Sequence, residues 1–222
     1  SVNLRTGRFL LIEDHTTVGG GLADMRGYPD QRLSLVRRAT NVSRVEHRVT
    51  STMRSARNGH DGGGVWLTGL SAAGKSTLAI EAESRLFLKG YQVYVLDGDN
   101  LRLGLNADLG FSPDDRTENI RRVGELAGLL ARAGFIVVTA FISPYRSDRE
   151  RARLAAGANF HEVHVSTGLK TCEERDPRGL YKKARAGHIA DFTGISAPYE
   201  PPEACELAID TSGSSIDHSV SK

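Results

Sequence analysis

Gly69-Leu70-Ser71-Ala72-Ala73-Gly74-Lys75-Ser76-Thr77 sets glycines, a lysine and two hydroxyls at the spacing that cradles a polyphosphate. Loop and helix-start N–H groups converge on phosphate oxygens, and Lys75 adds a point charge at the β and γ positions. The Ser76 hydroxyl is placed for Mg2+. The loop does not by itself choose among a GTPase, an ATPase motor and a small-molecule kinase.

Asp97-Gly98-Asp99-Asn100 follows a β-prone run, where ligands of open α/β sheets gather. Two carboxylates two residues apart on a tight turn can share the work. One holds Mg2+ through water and the other orients or deprotonates an attacking hydroxyl. Asp97 joins Ser76 as the expected metal set, and either aspartate serves as base.

Arg102, Arg116 and Asn119 come next, and a helical period puts Arg116, Asn119 and Val123 on one side. A fixed anion such as sulfate cannot be neutralised by a proton, so it needs guanidinium forks and N–H donors. Arg121 and Arg122 are read as solvated or bridging. Ser143, in Phe141–Arg146, is a ligand contact at the end of a strand. From Arg175 to Arg185 five cations fall within eleven residues, bounded by Pro177 and Gly187. This is read as a mobile lid that closes over ATP and excludes water.

The elements that must position these groups alternate. Strands are expected at 65–68, 91–96, 135–141, 160–165 and 206–210. Helices are expected at 74–89, 114–133 and 146–156, with helical segments over 169–186. Gly90 and Gly134 close the first two helices. Such alternation implies an α/β fold, a parallel sheet with helices on both faces. Residues 8–22 read as strand, turn and strand, too little for a core of their own. Short helix and loop are expected over 39–58.

The net charge of +2 gives no reason to expect nucleic acid over the whole surface. Eight arginines fall in residues 26–60 against Asp30 and Glu46, which reads as a solvated connecting segment. Cys172 and Cys205 lack metal-binding spacing and are read as structural thiols in a reducing compartment. No run approaches 18 apolar residues and no charged-then-apolar leader opens the sequence, so no membrane partner and a cytoplasmic location are expected.

These segments together resemble the adenylylsulfate kinase family. Its hallmark runs stand here as 69–77, Leu-Asp-Gly-Asp-Asn-Leu-Arg-Leu-Gly-Leu-Asn (96–106), Asp-Leu-Gly-Phe-Ser (108–112) and Arg-Thr-Glu-Asn-Ile-Arg-Arg (116–122). Phe-Ile-Ser-Pro-Tyr-Arg (141–146), the lid at 175–187 and Asp-Phe-Thr-Gly-Ile (191–195) complete them. The resemblance implies a P-loop NTPase fold and Mg2+-dependent transfer of the ATP γ-phosphate to the 3′-hydroxyl of adenylyl sulfate (APS). It implies ATP contacts at Ala72, Ala73, Gly74, Lys75, Ser76 and Thr77, with Gly69 and the lid Arg175 added. APS contacts are implied at Asp99, Arg102, Phe111, Arg116, Asn119, Ile142, Ser143 and Phe192, with Arg178 on the same side. Phe111 and Phe192 would sandwich the adenine. The catalytic set is Lys75, Asp97, Asp99 and Ser143. In bacterial members the matching serine is described as a phosphoserine, but direct in-line transfer needs no covalent step, so Ser143 is read as a substrate contact.

Residues 1–25 resemble the tail of the GTP-binding subunit of ATP sulfurylase, with 26–38 a linker and 39–222 the kinase domain. A homodimer, and association or fusion with ATP sulfurylase subunits, are further implications. Three positions depart from the family pattern. Ala72 stands where glycine is usual, Arg178 replaces a common lysine, and the tail after Asp210 is short and polar where relatives finish with a longer helix.

Overall fold

A computed structural model describes residues 8–13, 16–22, 43 and 45–222. Contacts divide the chain into two units, Ser1–Glu46 and His47–Lys222. In the first, β1 (Arg8–Glu13) and β2 (Thr16–Leu22) pair antiparallel, as the strand–turn–strand reading expects. The expected linker at 26–38 lies outside the described residues.

The second unit is built on a five-stranded sheet. Its strands are β3 (Gly63–Thr68), β4 (Val93–Asp97), β5 (Ile136–Ala140), β6 (Phe160–Val165) and β7 (Leu207–Ile209). They lie in the order β4-β5-β3-β6-β7, and every neighbouring pair is parallel. A parallel sheet sends all its strand carboxyl ends to one edge, which is where the loops of interest emerge.

Helices cover both faces. Against one face, α2 (Lys75–Leu88) buries Leu78 and Ala79 with Leu67, Val138, Ala140, Val163 and Val165. Against the other, α4 (Pro113–Arg132) and α5 (Arg146–Ala156) bury Ile120, Val123, Ala127 and Ala152 on Trp66, Leu96 and Val137. Trp66 stacks between Phe141 and Phe160, with ring centroids 6.0 and 5.8 Å away. Two glycines interrupt α4 at a cost of about 1 kcal/mol each relative to alanine. The reason is contact: a Cβ on Gly124 would lie 2.8 Å from Ala152 Cα, and one on Gly128 would lie 2.3 Å from the Ala155 carbonyl oxygen.

The expected elements occur with small shifts at their ends. α1 (Ser51–Asn58) is capped by Thr50, whose side chain accepts from the Met53 N–H. The helical stretch expected over 169–186 is two helices, α6 (Leu169–Arg175) and α7 (Leu180–Arg185), parted by Asp176–Gly179. Two short helices were not expected. The Asp97–Asn100 turn opens α3 (Gly98–Arg102), and the polar tail forms α8 (Ile216–Val220), tied to α2 by an Arg85–Asp217 ion pair of 2.5 Å. Cys172 and Cys205 are free thiols. Among the described residues no helix is long and apolar enough to cross a membrane.

β7 is fastened at the sheet edge by Glu206, whose carboxylate takes two bonds from Arg153, at 2.7 and 2.9 Å, and one from the Glu162 N–H. The Arg153 bonds are the main reason its carboxyl is held down from 4.5 to about 2. A depressed carboxyl stabilises the fold fully above its unfolded value and loses that contribution as pH falls through the folded one. The loss therefore runs from about pH 4.5 down to about pH 2. Urea unfolding of Glu206→Gln should show a shallower loss of stability across that window than the parent chain, and parallel curves would contradict this.

Candidate functional site

Residues 69–77 leave the carboxyl end of β3 and enter α2. Gly69 has φ 151°, and a Cβ there would meet the Val165 carbonyl oxygen at 2.5 Å. Gly74, at φ 101°, opens α2 without a side-chain cap, so the first N–H groups face the loop. The Lys75 ammonium donates to the Gly69 and Leu70 carbonyls at 2.9 and 2.6 Å and is 8% exposed. Burial pushes its pKa down to about 8, opposed by Cys172, Asp97 and Asp99.

Ala72 adopts φ 58°, the left-handed region in which a Cβ costs about 1–2 kcal/mol. The departure from glycine is therefore strained. Ala72→Gly should stabilise the chain by about 1 kcal/mol, since glycine's larger unfolded-state entropy returns part of the relief. An unchanged or lower urea midpoint would refute this.

The two aspartates part company. Asp97 accepts from Ser76 Oγ at 2.7 Å with one oxygen and caps α3 through the Asp99 N–H at 2.9 Å with the other. Asp99 instead reaches across the cleft mouth to pair with Arg178 of the lid. A hydroxyl and a carboxylate side by side at a phosphate loop form the oxygen donor set Mg2+ takes when phosphates supply other ligands. Among the described residues no group of three or more His, Cys, Asp or Glu side chains could hold a metal by itself.

Beyond Asp99 lie the cations. Arg116 donates to the Phe111 carbonyl at 2.9 Å, the Asp191 carbonyl at 2.6 Å and Thr193 Oγ1 at 2.5 Å. Arg102 donates to the Leu109 and Gly110 carbonyls and lies 4.4 Å from the Phe111 ring centroid. Burial disfavours the charge on both guanidiniums, and in Arg102 the nearby Arg116 adds to this. An anionic ligand would offset that cost. Asn119 is buried, its carbonyl taken by Asn106 Nδ2 at 2.9 Å. Phe111 is 66% exposed, whereas Phe192 is 8% exposed and packs edge-on against Tyr181. Arg121 and Arg122 bridge to Glu118, and Arg122 also to Asp108, in agreement with the bridging reading.

The lid bears on the loop. Tyr181 donates its hydroxyl to the Ser71 carbonyl at 3.0 Å, and Arg175 donates to Thr211 Oγ1 and its carbonyl at 2.8 and 2.6 Å. Sequence reasoning missed Thr211, which also donates to the Ala73 carbonyl at 2.9 Å. It missed Asp191 and Thr193 as partners of Arg116, and Ser214, Ile216 and Ser219 of the tail as cleft-lining residues. The position of Thr211 just after β7, on the loop-bearing edge, is the signal that could have found it.

One cleft of about 980 Å3 takes in nearly all of these groups. Ala72, Gly74, Lys75, Ser76, Thr77, Asp97 and Arg175 line it towards the phosphate loop. Asp99, Arg102, Phe111, Arg116, Asn119, Ile142, Ser143, Arg178 and Phe192 also line it. Gly69 and Ala73 are not on its wall but belong to the loop that frames it. At one end the site can grip a polyphosphate; towards the other it offers guanidiniums and aromatic faces.

The adenylylsulphate kinase family model matches residues 61–210. The adenylyl-sulfate kinase of Shewanella amazonensis is 56% identical over 178 residues, covering 80% of this chain and 90% of that protein. A solved structure of the Mycobacterium tuberculosis APS kinase CysC in complex with AMPPNP and APS matches with a TM-score of 0.70 at 51% identity, over 72% of this chain and 94% of that one. The hexameric APS kinase from Thiobacillus denitrificans matches with a TM-score of 0.56 at 37% identity, over 72% of this chain and 27% of that chain.

Proposed function

The chain belongs to the adenylylsulphate kinase family, and from that premise we propose that it transfers the γ-phosphate of ATP to the 3′-hydroxyl of APS, releasing ADP and the 3′-phosphorylated product. The observation that carries this reading is the single cleft in which the phosphate loop is joined to Asp99, Arg102, Arg116 and two phenylalanines. A triphosphate at the loop and a sulfated nucleotide on the guanidiniums would bring donor and acceptor together without a covalent relay.

Each residue then has a task. The α2 N–H groups and Lys75 hold the β- and γ-phosphates. Ser76 and Asp97 would hold Mg2+ beside them, and Mg2+ when bound neutralises charge on the transferred group. Asp99, released from Arg178, orients the acceptor hydroxyl and accepts its proton. Arg102 and Arg116 take the sulfate and phosphate of APS, and Phe111 and Phe192 its adenine. The lid arginines Arg175 and Arg178 close on the phosphates and exclude water. Ser143 contacts the acceptor; its hydroxyl is buried and receives the Trp66 indole N–H, which favours contact over a phosphoserine.

A coupled ADP-release assay tests the assignment. APS should drive turnover at least about a hundredfold above AMP or gluconate, because AMP lacks the sulfate that the arginines would hold and gluconate lacks both the sulfate and the adenine. Equal rates would point to another small-molecule kinase.

Residues 1–25 are read as the remnant of an upstream β-barrel domain, and the kinase as a cytoplasmic homodimer able to work beside or fused to ATP sulfurylase subunits. The low coverage of the hexameric relative favours this kinase unit occurring inside longer chains. A chain beginning at residue 38 should retain full activity. Folded protein without activity would refute the remnant reading.

A further inference from the structure

Ser143 is strained, with φ 39° in a residue that carries a Cβ. Such a conformation persists only where its surroundings over-determine it. Three groups on the sheet side do so. Trp66 Nε1 donates to Ser143 Oγ at 3.1 Å, Thr68 Oγ1 donates to the Ile142 carbonyl at 2.8 Å, and Arg149 Nη1 donates to the Ser143 carbonyl at 2.7 Å. Trp66 and Thr68 alternate on β3 and so share a face, while Arg149 reaches in from α5.

Arg149 is itself immobilised. Its Nε donates to Glu162 at 2.6 Å and its Nη2 to the Glu200 carbonyl at 2.8 Å, and it is 3% exposed. Glu162 stands opposite Trp66 in the β3–β6 register. Thr68 is braced by the Tyr199 hydroxyl at 3.0 Å. A buried ion pair of this kind is weak support for stability, because apolar residues of similar volume often serve as well. Its use lies in fixing geometry.

We propose that Arg149 and Thr68 are positioning residues for the acceptor nucleotide, holding the Ile142 and Ser143 carbonyls back against the sheet so that the Ser143 peptide N–H faces the cleft. The 142–143 peptide is trans, so its N–H points opposite the carbonyl that Thr68 holds. Ser143 and Ile142 line the cleft on the other side. The inference rests on APS occupying that part of the cleft, and it adds to that reading a specificity device made of residues no substrate touches.

The test compares Arg149→Met/Glu162→Met, which removes both charges at once, with Thr68→Val, which removes one hydroxyl and keeps shape. In each folded variant KM for APS should rise about tenfold or more. KM for ATP should stay within about twofold, because the phosphate loop is held by other groups. A purely structural role would move both constants together or neither. Wild-type constants for APS, or equal losses towards APS and ATP, overturn the proposal. Should the double variant fail to fold, Thr68→Val decides. Failure of the parent chain to use APS would overturn the kinase assignment as well, whereas normal parent turnover with an unaffected variant overturns this inference alone.

Discussion

Lys75→Ala should lower kcat/KM for phosphoryl transfer by about a thousandfold or more while leaving the chain folded. The ammonium is nearly enclosed, and its neighbours at 2.6–2.9 Å are loop carbonyls. Charge in such a desolvated place acts more strongly on phosphate oxygens than it would in water. Burial already presses its pKa towards about 8, so a bound polyphosphate would return stabilisation to the protonated form. The variant gives up that interaction at the transferred group. Steady-state ADP release, read beside the thermal midpoint, checks it. A rate within tenfold of the parent would refute the role.

Asp99→Asn should cut kcat by about 10²–10⁴-fold with little change in ATP affinity. The amide cannot take the hydroxyl proton, yet it can still accept from Arg178, so the lid keeps its anchor. Asp97→Asn provides the contrast. Asp97 meets Ser76 at 2.7 Å and caps α3, so its loss should weaken Mg2+-dependent nucleotide binding as well as turnover. Titrating AMPPNP into each variant separates the two. Equal nucleotide affinities in both would remove the division of labour between the carboxylates.

The central groups of this site were legible because they lie in short runs whose spacing is itself the chemistry. The phosphate loop needs strand, glycines and helix start in immediate succession, and residues 63–88 supply them. Arg116 and Asn119 share a helix, so one period places both in the cleft. The place of Thr211 just after β7 hinted at the loop-bearing edge, but its partners, Ala73 and Arg175, were not legible because they are brought to it only when β7 joins the sheet. α3 escaped because five residues beginning with glycine read as a turn, and only the Asp97 cap shows where its helix starts. Arg149 and Glu162 carry the same lesson: charged residues in a helix and a strand suggest a solvated surface, and packing alone turns them into a buried pair. The metal pair was half visible. Asp97 was already named beside Ser76, but its second bond, which caps α3, and the turn of Asp99 to Arg178 depended on how the loop after β4 closed.

The most direct measurement is of the product. The chain is given Mg2+, ATP labelled at the γ-phosphate, and APS, and the labelled nucleotide is then exposed to a phosphatase specific for the 3′-position. The account predicts label on APS, all of it released by that enzyme. Label that stays on ATP, passes to water, or survives the 3′-specific treatment would contradict it.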